Sequence, residues 1–224
     1  MPPLISSRLL RIVLVIVFPA MCSISGAWAH PHIFVDAQTG FLFTEEGQLR
    51  ALRISWTYDA FTTLFLFDVL DLDKDGDGRL DNTDRTAIVV GETDWPTEYN
   101  GDIYLELAGQ HRALTRPENA MARMEDDRIT VAFDLPLAQP ADMSENTAIL
   151  RLYDPVFYYA YTILSDGPSP QSLPSTCNAK VIAFEPDAAT TALQAQLAAL
   201  SREESPEQGN VGRLFSDEVS LTCR

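Results

Sequence analysis

The chain has 224 residues, of which 46% are hydrophobic, and its 32 Asp and Glu outweigh 16 Lys and Arg to give a net charge of −16 at pH 7. That apolar content can bury a core, as one domain or two small ones. The acidic balance argues against nucleic acid, whose phosphates attract Lys and Arg, and against an anionic membrane surface; it suits cations.

Residues 1–29 read as an export signal. Arg8 and Arg11 form a basic start, an apolar run follows from Ile12 to Ala20, and Ala27-Trp28-Ala29 is a small-x-small cleavage site. The apolar run is shorter than the ~20 residues a membrane span needs, so no stable insertion is expected after cleavage. Cys22 raises a lipoprotein signal, but Met21 is a poor residue immediately before a lipidated cysteine. Cleavage after Ala29 removes two basic residues and no acidic ones, so the mature chain, residues 30–224, carries −18 and is expected in the periplasm.

Ile33 to Phe43 alternates and is rich in β-formers, Glu45-Glu46-Gly47 makes a turn, and Leu49 to Tyr58 alternates again, a hairpin signal. The period then changes: Phe61, Leu64, Phe65 and Val69 fit one helical face behind an Asp59 N-cap. An aspartate-rich loop follows, and Asn82 to Val90 leaves it as a short second helix. Strand patterns return at Ile103–Leu107, Arg112–Leu114, Arg128–Leu135 and Thr147–Tyr153, and an aromatic strand is expected from Val156 to Leu164. Residues 166–174 hold three prolines and must be a loop. Val181–Phe184 reads as a strand, Ala188–Ser201 as a helix, and Val219–Cys223 as a closing strand. The expectation is a mainly β, sandwich-like single domain, α+β overall, with an EF-hand-like helix-loop-helix inserted at about 59–90 and a C-terminal helix.

After export two cysteines remain, Cys177 and Cys223. An even count in an exported chain reads most simply as one disulfide; a soft metal site is the competing reading, weakened by the lack of CxxC spacing.

The strongest chemical signal is Asp71-Leu72-Asp73-Lys74-Asp75-Gly76-Asp77-Gly78-Arg79-Leu80-Asp81-Asn82-Thr83-Asp84. Starting the loop at Asp71 puts Gly78 at the eighth position, where an apolar residue normally packs. Starting at Asp73 places Asp73, Asp75 and Asp77 at positions one, three and five, Gly78 at six, the Arg79 carbonyl at seven, Leu80 at eight, Asp81 at nine and Asp84 at twelve. Calcium takes six to eight oxygens, and alternate residues of a tight loop can point theirs inward. An acidic solvated turn is the plainer alternative. Asp84 replaces the usual bidentate Glu, which weakens calcium and admits magnesium. A single unpaired hand favours a structural staple over a sensor.

Two of the three histidines, His30 and His32, sit at the new N-terminus and share a face in an extended segment. Cleavage gives His30 a free α-amine beside its imidazole, a nitrogen chelate for Ni2+, Co2+, Zn2+ or Cu2+. Pro31 has no N–H, which blocks the common square-planar amino-terminal mode, so such a site needs outside ligands, His111 or a carboxylate. An oxidative copper site would likewise need His111 as a remote histidine. A frayed, exposed terminus is the bland alternative. Asp36, Asp59 and the Asp154, Tyr158, Tyr159, Tyr161 group read as structural. The chain has no GxSxG, HExxH, P-loop or Cys/His nucleophile pair, so no enzymatic activity is expected.

Taken in order, these marks resemble the domain of unknown function 1007 family. His30-Pro31-His32-Ile33-Phe34-Val35-Asp36 resembles its HPHxFVD opening, and Trp56-Thr57-Tyr58-Asp59 is similar to its W-x-[FY]-D. The aspartate loop occupies its D-x-D-x-D-G-x-G slot. Tyr153-Asp154-Pro155 matches its late YDP, and Cys177 and Cys223 fall where its final cysteines lie. The resemblance covers essentially all of the mature chain. Its members are often labelled uncharacterised periplasmic components of ABC-type transport systems, beside nickel/cobalt-type permeases. It therefore implies a periplasmic metal-binding accessory of a metal permease. Two departures are Asp84, where relatives carry Glu, and the lack of an acidic residue soon after Tyr158 and Tyr159. The alternative expectation is a calcium-stabilised interaction module with no transition-metal role.

Overall fold

The computed structural model describes residues 30–144, 146–165, 173–201 and 204–224. The export signal and its cleavage site at Ala29 lie outside the described residues, as does most of the proline-rich loop.

Among the described residues, ten strands form two five-stranded sheets. The first has the order β5-β6-β2-β1-β8, from β1 (Ile33–Phe43), β2 (Leu49–Tyr58), β5 (Glu118–Glu125), β6 (Arg128–Ala141) and β8 (Tyr159–Ile163). The second has the order β4-β3-β7-β10-β9, from β3 (Ile103–Leu107), β4 (Gln110–His111), β7 (Thr147–Leu152), β9 (Cys177–Ile182) and β10 (Glu218–Cys223). Pairing is antiparallel except between β1 and β8. Alternation decides which side chains face inward: Val35, Ala37 and Phe41 of β1, Leu52, Ile54 and Trp56 of β2, Leu105 of β3, Leu150 of β7 and Leu221 of β10 join one buried cluster. The sandwich-like, mainly β expectation holds.

Cys177 and Cys223 are directly opposite across β9 and β10 and form a disulfide, so the soft-metal alternative is set aside. Its loop spans 46 residues, for which the chain-entropy picture gives about 4 kcal/mol of stabilisation.

Between β2 and β3 the chain makes α1 (Ala60–Val69), the aspartate loop and α2 (Asn82–Thr93). Asp59 caps α1 through Phe61 N–H (2.8 Å) and Thr62 N–H (2.9 Å). The expected apolar stripe of α1 faces outward: Phe61, Leu64, Phe65 and Val69 are exposed, while Thr62 and Thr63 are buried and Leu66 and Phe67 pack on the core. A helix apolar on nearly every side has no stripe to fix its rotation. Polar anchors fix it instead, namely the Asp59 cap and the Thr63 hydroxyl, which accepts the Ile129 N–H (3.1 Å).

Four other elements differ from expectation. β5 carries the Glu-, Met- and Ala-rich segment Glu118–Glu125, poor in β-formers, and is held by its pairing with β6. The Arg112–Leu114 pattern gives way to β4 and a single bridge from Leu114 to Leu137. The aromatic strand starts at Tyr159, because Asp154–Phe157 forms a turn with Phe157 at φ 59°. The strand expected at Val181–Phe184 lies earlier, at Cys177–Ile182, in register with β10. A C-terminal helix, α3 (Ala188–Ala198), packs Leu197 with Phe157 and Val211 in a second small cluster.

Candidate functional site

Two clusters carry metal-binding chemistry. In the loop after α1, ligand atoms of Asp73, Asp75 and Asp77 lie within 4.8 Å of one another. The backbone explains the convergence. Asp73 has φ 52° and Gly78 φ 76°, and Asp73 Oδ1 accepts the Asp77 N–H (2.9 Å) while Oδ2 accepts the Gly78 N–H (3.1 Å). Asp77 Oδ1 accepts the Arg79 N–H (2.9 Å). Gly78 meets no atom where a Cβ would sit, so its role is conformational: an L side chain would be strained at that φ. Leu80 is buried.

The converging set begins at Asp73. Asp71 instead pairs with Lys74 (2.9 Å). The last two expected ligands serve the exit helix. Asp81 accepts the Thr83 (2.6 Å) and Asp84 (2.9 Å) N–H groups as N-cap of α2. Buried Asp84 returns a bond to the Asp81 N–H (2.9 Å) and accepts the Asp73 N–H (3.3 Å), closing a capping box and tying the loop's first residue to its last. Three carboxylates therefore converge, while Asp81 and Asp84 hold the frame. An oxygen-only set of this charge fits a hard divalent cation.

The second cluster lies at His30 and His32. Their ring centroids are 5.0 Å apart. Two imidazoles on one tetrahedral ion, with metal–nitrogen bonds of 2.0–2.1 Å, would have centroids ~5 Å apart. His30 is 3% exposed, and its Nδ1 has no hydrogen-bond partner among the described residues. A buried, unsatisfied ring nitrogen is costly unless something ligates it.

The surrounding segments meet here for identifiable reasons. The Tyr158 carbonyl accepts the His32 N–H (2.8 Å), and its ring leans on His32 at 4.5 Å. Buried Asp154 clamps the turn that carries Tyr158, accepting N–H groups of Val156 (3.1 Å), Tyr158 (2.7 Å) and Tyr159 (3.2 Å). Asp59 Oδ2 accepts the Phe34 N–H (3.0 Å), fixing the strand just after the histidines. Asp36, on the same strand, is paired with Arg128 (2.9 Å). His111 is not brought to the histidines: it lies exposed on edge strand β4, 3.9 Å from Glu106. The remote histidine of a copper brace is thus not supplied by His111.

Sequence reasoning missed one buried acidic centre. Asp102, at φ 57°, accepts the Tyr161 hydroxyl (3.0 Å), and Tyr99 also donates to it. Burial, with the Asp154 charge nearby, pushes its carboxyl up to about 7, against the pull of both tyrosines. Burial likewise pushes the Tyr161 and Tyr99 hydroxyls well up. Only the Gly101-Asp102 dipeptide hinted at it, as a turn. On α2, Glu92 accepts the Tyr58 hydroxyl, and its carboxyl is raised by burial.

With these motifs in place, comparison with known proteins is decisive on kinship. A family model described as protein of unknown function (DUF1007) matches residues 15–223. The chain belongs to this family. An uncharacterised protein of Haemophilus influenzae (strain Rd) is 27% identical over 200 residues, covering 88% of this chain and 93% of that protein. For the DUF1007 chain, the segments that carried the resemblance are physically joined: Asp59 of Trp56-Thr57-Tyr58-Asp59 holds the opening His30–Asp36 segment, and Asp154 of Tyr153-Asp154-Pro155 holds the Tyr158 turn against it.

Proposed function

We propose that this DUF1007 protein is an exported, non-enzymatic metal-binding accessory of a metal transport system. Its Asp73–Asp84 loop holds calcium, with magnesium as the weaker fit, as a structural staple. His30 and His32 bind a nickel, cobalt, zinc or copper ion near the mature N-terminus. The observation that carries this reading is the convergence of Asp73, Asp75 and Asp77 within 4.8 Å on a glycine-permitted turn between two helices. The buried His30 Nδ1, which has no hydrogen-bond partner among the described residues and lies beside His32, supports the second site. A disulfide and the lack, among the described residues, of any helix long and apolar enough to cross a membrane support export to an oxidising compartment. A membrane metal permease is the partner that fits.

Native mass spectrometry on chain exported and cleaved in its own envelope tests this, with calcium, magnesium, nickel, cobalt, zinc and copper titrated in turn. One calcium and one transition-metal ion per chain are expected, with the transition metal lost in His30→Ala and calcium retained. Equal transition-metal binding by wild type and His30→Ala would remove the histidine site. A calcium-stabilised interaction module with no transition-metal role is favoured by one observation, the outward apolar face of α1.

A further inference from the structure

We propose that the outward face of α1 docks a short, basic amphipathic helix of a partner protein. Phe61 is 86% exposed, Leu64 67%, and Phe65 and Val69 57% each. Positions 61, 64, 65 and 69 lie on one side of a helix, so these side chains form a continuous strip. Together they leave on the order of 500 Å² of apolar surface in water, at the size that marks interaction sites on monomers. Nothing in the sequence requires this for folding, because α1 already packs through Leu66 and Phe67 and is anchored by Asp59 and Thr63.

Charge and area select the occupant. Between Asp59 and Asp94 the chain carries ten acidic and three basic residues, and exposed Asp68 and Asp71 border the strip. A second copy would set two acidic segments against each other, and the strip falls short of the ~800 Å² per partner of a standard interface. An anionic lipid surface meets the same repulsion. A single helix suits the area: α1 has ten residues, so the face is ~15 Å long, about three turns of a partner with apolar residues at i, i+3 and i+4 and lysine or arginine at its flanks. The proposal rests on the partner-binding part of the proposed function and is independent of the histidine pair, whose metal binding is measured separately.

The test uses cleaved chain in calcium and a labelled synthetic Leu/Lys amphipathic helical peptide, followed by fluorescence anisotropy. Expected is saturable binding that weakens with salt, falls at least ~tenfold in Phe61→Ser/Phe65→Ser, and is unchanged in Met121→Ser, whose exposed side chain lies on β5. Both changes are at exposed positions, so folding is preserved, and circular dichroism verifies it. Equal binding by the double variant, or by a Leu/Glu peptide of the same apolar pattern, would overturn the proposal. So would phosphatidylglycerol vesicle binding or a dimer in sedimentation, if either were abolished by the double variant.

Discussion

Asp102 is 4% exposed, and its partners come from three separate stretches: Tyr99 just before it, Asp154 in the late turn and Tyr161 on β8. Because its folded pKa of about 7 lies above the ordinary carboxylate value, folding favours the protonated form. The penalty for its charge is absent below about pH 4, grows between about pH 4 and 7, and is complete above. Asp102→Asn keeps the shape, tolerates φ 57° and cannot ionise. It is expected to stabilise the protein by ~2 kcal/mol more at pH 8 than at pH 5, each pKa unit being ~1.4 kcal/mol and the full shift discounted for solvent access. Thermal unfolding at both pH values checks this, and an identical difference at each would refute it. At this scale the sequence was legible where a pattern was local. Asp73, Asp75 and Asp77 announce themselves by spacing, and His30 and His32 by position. Asp102 was not, since nothing near it indicates that a tyrosine 59 positions away will meet it.

Among the elements, the turn from Asp154 to Phe157 and the 3-10 helix at Val211–Phe215 are tightly coupled. The Gly212 N–H donates to the Pro155 carbonyl (3.4 Å), and a Cβ added at Gly212 would land on the Asp154 carbonyl. Gly212→Ala must therefore push the turn outward, and the turn carries Tyr158 against His32. Expected is a loss of ~1–3 kcal/mol in chemical denaturation, together with weaker transition-metal binding, while calcium binding is unchanged. A Gly212→Ala protein as stable as wild type would contradict this close approach. Most strands and the three α-helices among the described residues were readable, because alternation, the Asp59 cap and the Ala- and Leu-rich run from Ala188 are local signals, whereas the caps at Asp81 and Asp187 emerge only from the structure. β5 was not, because its composition disfavours a strand and β6 pairing overrides it. The orientation of α1 was misread because its periodic apolar residues are the exposed ones; what turns them outward is a hydroxyl bonded to a strand 66 residues away.

Across the molecule, two sheets share one core, and the chain leaves β2 of the first sheet to reach β3 of the second through the helix-loop-helix. The disulfide staples β9 to β10 at the other end of the chain. The insertion has no such covalent tie. Leu72, Leu80 and Ile88 anchor it in the core and the Asp81–Asp84 capping box frames its loop, but three carboxylates repel one another there. A bound cation removes that repulsion and should stabilise the whole domain by mass action. The central claim is tested most directly by the thermal midpoint of the mature chain in calcium and in chelator, for wild type and for Asp75→Asn. At a calcium concentration ~100-fold above its Kd the gain is ~2.7 kcal/mol. For a chain of this size that raises the midpoint by roughly 5–10 °C. The gain should be largely lost in Asp75→Asn, whose exposed side chain has little else to do. A wild-type midpoint that is the same in calcium and in chelator, or an Asp75→Asn protein that responds as fully as wild type, would contradict the account.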